Sequence, residues 1–303
     1  MFEQLPLTRR EWLALSTLAL PYAAPQEARA TNSPPHGEGH QRVPLKIGIR
    51  AASMQMVGQL EVIKTAARIP GIMGVELQTT AGRYNLRDWD AVRRYKREAH
   101  RWAMHIPSIA GVWDRGVNIR SEKAAESLIK SIQAAELLGA SVALVAFFRK
   151  NAPDMSREDS YGPIVAMLQK VAPHAADASV VLGLENSLSP ADNKKLVDLV
   201  DHPAVRVYYD VHNMAYYGHG EQAVSGIALL GKERICMVHV KQGKRLLREP
   251  GLVDWVAAFQ QFNAIGYDGW YIYETSHEDL TDCIEDTKKN NAFLKQHVRM
   301  PAG

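Results

Sequence analysis

The chain has 303 residues, of which 46% are apolar and 23% charged, a size that fits two ordinary domains or one large barrel. Its formal net charge is +3 and its densest basic patch, within residues 241–248, is short, so the sequence lacks the electrostatic pattern of a nucleic-acid-binding protein. Cys236 and Cys283 lie far apart without a Cys-x-x-Cys or Cys/His spacing, which argues against a cysteine-built zinc site and leaves two buried thiols or one disulfide.

Residues 1–30 have the features of an export signal. The pair Arg9–Arg10 stands just before the apolar run Trp12–Ala24, and an Ala-x-Ala site ends the segment. This order is typical of a secretory signal, paired arginines indicate the twin-arginine (Tat) route, and the apolar run is too short for a membrane span. An amphipathic N-terminal helix is the alternative, but Pro21 and Pro25 would interrupt it.

Residues 31–43 are rich in Pro, Gly, Ser and His, which predicts a flexible linker. Residues 44–300 form the predicted catalytic domain. If the export signal works as predicted, the mature protein begins near Thr31 and acts in the periplasm.

From Leu45 onward, short apolar segments alternate with amphipathic ones. The short segments are mostly β-branched or aromatic, as expected of strands buried on both faces. The predicted strands are Leu45–Ile49, Ile72–Leu77, Trp102–Ile106, Ser141–Phe147, Val180–Glu185, Val205–Asp210, Ile235–Val240 and Trp270–Glu274. The predicted helices cover residues 57–68, 88–101, 121–138, 157–176, 190–201, 221–230, 252–264 and 279–297. The clearest helix has Ser121 as its predicted N-cap and ends at Gly139.

Eight successive βα units predict an α/β fold made of a single closed (β/α)8 TIM barrel. A doubly wound open sheet is the alternative. That fold usually carries a Gly-rich phosphate loop after its first strand, and Ile49–Ser53 is not such a loop. In a barrel, functional side chains lie at the C-terminal ends of the strands.

The last four predicted strands end in ionisable residues: Glu185, Asp210, His239 and Glu274. Each alone is explained as well by a helix cap, a turn or a buried core histidine. Three carboxylates that converge at one barrel end would repel one another, and a divalent cation removes that repulsion. Three carboxylates and one imidazole favour Mn²⁺, with Co²⁺, Mg²⁺ and Zn²⁺ as alternatives. The sequence therefore predicts one divalent metal bound by these four residues.

The order Glu…Asp-x-x-[His/Asn]…His…Glu on strands five to eight resembles the xylose isomerase-like superfamily of sugar-phosphate isomerases and epimerases, over residues 45–297. The resemblance implies that the four residues above are metal ligands and that Glu185 and Glu274 also act as acid and base. Arg245 matches an arginine that the epimerases place near the substrate. Asn213 stands where many members have histidine, so it is a candidate substrate contact.

Four further residues near predicted strand ends are weaker candidates. His105, at the predicted end of strand three, is a candidate substrate contact or a packing residue. Trp113, in the third loop, would stack on a sugar ring or pack within its loop. Glu76 is predicted to form a salt bridge at the barrel rim. His212 is predicted to point outward or to lie behind the metal ligands.

These residues predict a metal-dependent sugar isomerase or epimerase that acts through an enediolate, with the two glutamates moving the proton. The same enediolate would also expel a β-substituent, which makes a lyase that cleaves 3-keto-glycosides the first alternative. A non-catalytic sugar-binding barrel is the second. The apurinic endonuclease branch shares the fold but needs further histidines where this chain has Asn213 and Ala146–Phe148.

The expected partner is a small carbohydrate substrate. The sequence predicts no nucleic-acid partner and no stable membrane span, and it is compatible with a homo-oligomer.

Overall fold

The computed structural model describes residues 45–79 and 82–299, so the predicted export signal and linker lie outside the described residues. Eight parallel strands pair in chain order, and the first pairs with the eighth to close a barrel. The strands are β1 (Lys46–Arg50), β2 (Gly74–Gln78), β3 (Ser108–Ala110), β4 (Val142–Phe147), β5 (Val181–Asn186), β6 (Val205–Asp210), β7 (Ile235–Val240) and β8 (Trp270–Tyr273). The predicted single (β/α)8 barrel is confirmed.

Helices surround the barrel. They are α1 (Val62–Ala67), α2 (Trp89–Arg101), α3 (Ala124–Leu138), α4 (Glu158–Asp177), α5 (Pro190–Val200), α6 (Val211–Met214), α7 (Gly220–Ala223), α8 (Ser225–Arg234), α9 (Trp255–Ala264) and α10 (Leu280–His297). A short 3-10 helix (Arg149–Asn151) follows β4, and a π-helical turn (Ala215–His219) lies between α6 and α7. Gly139 ends α3 in the left-handed conformation, as predicted, but α3 begins at Ala124 rather than after Ser121.

The predicted bounds of strand three are wrong. Residues Trp102–Met104 complete the C-terminal turn of α2, because the backbone N–H groups of Trp102 and Met104 donate to the carbonyls of Glu98 and Ala99. The strand itself starts six residues later, at Ser108. An apolar run of this length does not by itself distinguish the end of a buried helix from a strand.

Alternation along the strands places the ionisable residues. Met237 and Ile272 belong to the cluster that fills the barrel interior. Side chains two residues apart on a strand point to the same face, so His239 and Glu274 also point inward, at the C-terminal end. A second, larger core lies between the barrel and the helices and includes Phe259 and Leu168.

Two further predictions concern the described residues as a whole. Both thiols are free, Cys236 on β7 and Cys283 on α10, so the disulfide alternative is wrong. Among the helices of residues 45–79 and 82–299, none is both long and apolar enough to cross a membrane.

Candidate metal and active site

The four predicted metal ligands come together at the C-terminal end of the barrel. Glu185, Asp210, His239 and Glu274 each offer one ligand atom, and the four atoms lie within 4.8 Å of one another. The first three are buried, whereas the side chain of Glu274 is 20% exposed. Glu274 therefore lies nearest the barrel opening.

One nitrogen of His239 faces all three carboxylates. Its Nδ1 is 3.0 Å from Oε1 of Glu185, 3.4 Å from Oε2 of Glu274 and 4.0 Å from Oδ2 of Asp210. One imidazole and three carboxylate groups are a suitable donor set for a divalent cation of the first transition row or for Mg²⁺. The arrangement is compatible with a single divalent metal site.

Asp210 combines two roles that the sequence left as alternatives. Its Oδ1 accepts a hydrogen bond of 2.8 Å from the backbone N–H of Asn213 and so caps α6. Its Oδ2 remains directed to the cluster. The side chain of Asn213 in turn donates a 2.9 Å hydrogen bond to Oε1 of Glu185, which brings this candidate substrate contact into the site.

Glu76 forms an ion pair with Arg50, as a salt bridge was predicted, but the predicted position at the rim is wrong. Its side chain is fully buried, and its Oε1 lies 3.3 Å from Nε2 of His239, on the side of the ring away from the cluster. The hydroxyls of Ser108 and Tyr208 donate to its Oε2 at 2.7 and 2.8 Å, and Nε of Arg50 lies 3.2 Å from Oε1. A buried carboxylate needs such partners, because burial alone disfavours its charge.

The buried acid and base stabilise each other's charge. Burial opposes ionisation of Glu76, but the facing His239 and Arg50 outweigh it and lower the pKa of Glu76 to about 2. Burial likewise disfavours a charged His239, yet the carboxylates of Glu76 and Glu185 raise the pKa of His239 to about 9.

Two positively charged side chains, those of Lys241 and Arg50, complete the site, and sequence reasoning missed both. Nζ of Lys241 lies 2.7 Å from Oδ2 of Asp210 and 2.5 Å from Oε2 of Glu274. The guanidinium of Arg50, the last residue of β1, contacts Oε1 of Glu274. Arg50 ends a strand, and Lys241 follows His239 by two positions, so the rule that found the metal ligands would have found both residues.

Two remaining candidate substrate contacts, Trp113 and Arg245, and the weaker candidate His212 all lie in segments that follow the C-terminal ends of strands. Trp113 is half-buried in the loop after β3 and donates a 2.8 Å hydrogen bond to the carbonyl of Ala146, near the end of β4. Arg245 is exposed in the loop after β7, where its guanidinium donates to the carbonyl of Pro250. His212, on α6, is half-buried, burial lowers its pKa, and its buried Nδ1 has no hydrogen-bond partner.

The predicted position of His105 at the end of strand three is wrong. His105 precedes β3, is exposed, and forms an isolated bridge with Gly74, the first residue of β2. Its ring packs edge-on against Trp270, the first residue of β8, with 5.6 Å between ring centroids. This is the N-terminal end of the barrel, opposite the metal cluster, so His105 does not line the candidate site.

The sequence matches the xylose isomerase-like TIM barrel family over residues 63–297. The chain belongs to this family. The match spans more than half of this xylose isomerase-like barrel and includes the four clustered residues. Comparison with curated proteins gives no match.

Three solved structures illustrate the shared fold of this xylose isomerase-like barrel. A D-allulose 3-epimerase from Methylomonas sp. in complex with D-allulose is 20% identical, with a TM-score of 0.69 over 84% of this chain and 97% of that chain. A D-psicose 3-epimerase in the presence of D-fructose is 15% identical, with a TM-score of 0.70 over 84% and 99%. A 3-keto-D-glucoside 4-epimerase from E. coli is 17% identical, with a TM-score of 0.64 over 83% and 99%.

Proposed function

We propose that this protein is a divalent-metal-dependent sugar epimerase or isomerase in which Glu185 and Glu274 act as acid and base. The observation that carries the proposal is their common position beside Nδ1 of His239, at 3.0 and 3.4 Å. They reach this point from β5 and from the end of β8, which are separated by β6 and β7 around the barrel. We propose that the reacting sugar carbon binds with one of these carboxylates on each of its faces, as proton transfer between two faces requires.

The protein's own residues prepare both carboxylates for this role. Asn213 orients Glu185 through its side-chain hydrogen bond, while Arg50 and Lys241 hold Glu274. One glutamate takes the proton from a carbon next to a carbonyl. The other returns a proton to the opposite face in epimerisation, or to the neighbouring carbon in isomerisation.

The bound metal would supply positive charge where negative charge develops on the substrate oxygens. Glu185, Asp210, His239 and Glu274 would hold it. We propose Mn²⁺, because the donor set is rich in oxygen, with Co²⁺, Mg²⁺ and Zn²⁺ as alternatives.

A keto sugar is the proposed substrate. Support comes from structures of similar fold whose described activities are D-allulose 3-epimerase, D-psicose 3-epimerase and 3-keto-D-glucoside 4-epimerase. Abstraction of a proton next to a carbonyl accounts for epimerisation at each of these positions, and two carboxylates from different strands suit that step.

A lyase that cleaves 3-keto-glycosides is the second candidate. The fold's similarity to a 3-keto-D-glucoside 4-epimerase favours it, because the enediolate of such a substrate carries a group that can leave by β-elimination. The products separate the two activities: an epimerase yields an intact isomer, whereas a lyase releases the aglycone.

Solvent proton exchange tests the proposal. The Mn²⁺-loaded protein is incubated in D₂O with ketohexoses and with 3-keto-glucosides, and deuterium in the sugar is measured by NMR after protein and metal are removed. We expect deuterium next to the carbonyl, and its loss in Glu185→Gln and Glu274→Gln. Glu126→Gln is the control, because Glu126 is a 62% exposed residue on α3.

A protein that binds metal and these sugars yet exchanges no proton would be a binding barrel, and the enzymatic proposal would be wrong. Exchange that survives in both glutamine variants would show that other groups move the proton.

A further inference from the structure

An aromatic surface lies beside the metal cluster, in the segments that follow β4 and β6. Phe148 stacks on Tyr217 with 5.5 Å between ring centroids and 23° between ring planes. Tyr216 meets Tyr217 edge-on at 5.1 Å, and its ring lies parallel to that of His212 at 6.4 Å. We call Phe148, Tyr216 and Tyr217 the aromatic platform.

The backbone around the platform is unusual at two independent places. Tyr216 and Tyr217 lie in the π-helical turn Ala215–His219, which Gly218 breaks with a φ of 95°. Arg149, directly after Phe148, has a φ of 53°, a backbone conformation that residues other than glycine rarely adopt. π-helical turns and strained residues are frequent at functional sites, where they aim particular side chains.

The platform adjoins the Glu185 side of the metal cluster. Phe148 continues the inward alternation of Val142 and Leu144, so it stands at the mouth of the barrel. The backbone N–H of Arg149 donates a 2.8 Å hydrogen bond to the hydroxyl of Ser187, two residues after Glu185. Across the cluster, by contrast, Arg50 and Lys241 surround Glu274 with charge. The mouth therefore has an aromatic side and a charged side.

Part of the platform is uncovered, because Tyr216 is exposed whereas Phe148 and Tyr217 are half-buried. The side chain of Tyr216 is 57% exposed, which is more than any other large hydrophobic side chain in residues 45–79 and 82–299. Arg149 lies at its border, with its guanidinium 3.5 Å from the Tyr216 hydroxyl and 5.9 Å from the centre of the Tyr217 ring. An exposed aromatic face bordered by a hydrogen-bond donor suits a ligand that has an apolar ring face and hydroxyls at its edge.

We propose that the aromatic platform is a subsite for the second ring of a glycoside, which makes the substrate a keto-glycoside rather than a free keto sugar. This inference rests on the proposed function, because it places the reacting ring between Glu185 and Glu274. The group attached to that ring extends along the Glu185 side and covers Tyr216 and Tyr217. Arg149 donates hydrogen bonds to the hydroxyls of a sugar aglycone, whereas an aryl aglycone packs on the rings of Tyr216 and Tyr217 without using Arg149.

Inert ligands test the subsite without turnover. Binding of methyl β-glucoside and phenyl β-glucoside, which lack the keto group, is compared by isothermal titration calorimetry on the Mn²⁺-loaded full chain. We expect phenyl β-glucoside to bind about tenfold more tightly, and Tyr216→Ala with Tyr217→Ala to remove that advantage. Leu229→Ala is the control, because Leu229 is 46% exposed on α8, away from the barrel mouth.

Turnover gives the second measurement. In the tyrosine variants, KM for 3-keto-cellobiose and phenyl 3-keto-glucoside is expected to rise about tenfold, while kcat/KM for methyl 3-keto-glucoside stays within about twofold. Equal binding of the two inert glycosides by the unaltered protein, or an equal loss for one-ring and two-ring substrates in the variants, would overturn the subsite. Deuterium exchange into methyl 3-keto-glucoside tests the proposed function separately, because that substrate does not reach the platform.

Discussion

Glu76 and His239 face each other inside the barrel, with Oε1 of Glu76 3.3 Å from Nε2 of His239. Both side chains are fully buried, and the other ring nitrogen of His239 faces the three carboxylates of the metal cluster. A carboxylate behind a metal-binding histidine fixes the ring orientation and favours the tautomer whose free lone pair points at the metal. The pair therefore links the barrel interior to the candidate metal site.

Replacing Glu76 with glutamine should weaken metal binding. The substitution keeps the size of the side chain but removes the charge that orients His239 and makes it more basic. We expect the Kd for Mn²⁺ to rise about 10- to 100-fold. Titration followed by the EPR signal of free Mn²⁺ measures this constant, and Glu126→Gln is the matched control. An unchanged Kd in Glu76→Gln would show that Glu76 has a packing role only.

Replacing Lys241 should have the opposite effect and strengthen metal binding, because the ammonium group of Lys241 lies among the atoms that would bind the metal. Two unit charges 4 Å apart repel by about 4 kcal/mol at an effective dielectric constant of about 20, and movement of the lysine relieves much of this. We expect Lys241→Met to lower the Kd for Mn²⁺ by about tenfold. Calorimetric titration measures it.

The matched control for this prediction is Lys244→Met, because Lys244 lies three residues further along and is 75% exposed. Weaker metal binding in Lys241→Met would mean that the orientation Lys241 gives to Asp210 and Glu274 outweighs its repulsion of the metal.

The sequence predicts best where the hydrophobic pattern is unambiguous. β6 and β7 have the predicted bounds, because each is a short, mainly apolar run with an ionisable residue at or near its end. β6 ends at Asp210, and β7 ends at Val240, one residue after His239. The same pattern fails at Trp102–Ile106, where a helix C-terminus and the approach to a strand are equally apolar. Because of that error, the prediction placed His105 at the wrong end of the barrel.

The partners of the metal ligands could not be predicted in the same way. Glu76 and His239 are 163 positions apart, and nothing local to either residue encodes their contact. A glutamate near a strand end is usually exposed, so its burial follows only from the donors that Ser108, Tyr208 and Arg50 bring from other strands. Such a network is visible only once the barrel is closed.

The export proposal can be tested in cells. We propose that Arg9 and Arg10 direct the chain to the twin-arginine route, so Arg9→Lys with Arg10→Lys should leave the full chain in the cytoplasm. Cell fractionation and immunoblotting locate the protein. Arg93→Lys with Arg94→Lys is the matched control, because these adjacent arginines lie on α2. Periplasmic protein in both double variants would contradict the Tat proposal.

The hydroxyl of Tyr208 should stabilise the fold more than that of its neighbour Tyr209. Both side chains are buried, but the Tyr208 hydroxyl donates to the charged Glu76 at 2.8 Å, whereas that of Tyr209 donates to the neutral carbonyl of Ala223 at 2.6 Å. Hydrogen bonds to charged groups contribute about 1.5–3 kcal/mol and neutral ones about 1 kcal/mol. Tyr208→Phe should therefore lower the free energy of unfolding by about 2 kcal/mol, roughly twice the effect of Tyr209→Phe. Urea unfolding of the EDTA-treated proteins measures both, and equal losses would mean that the charge of Glu76 adds nothing to the Tyr208 hydrogen bond.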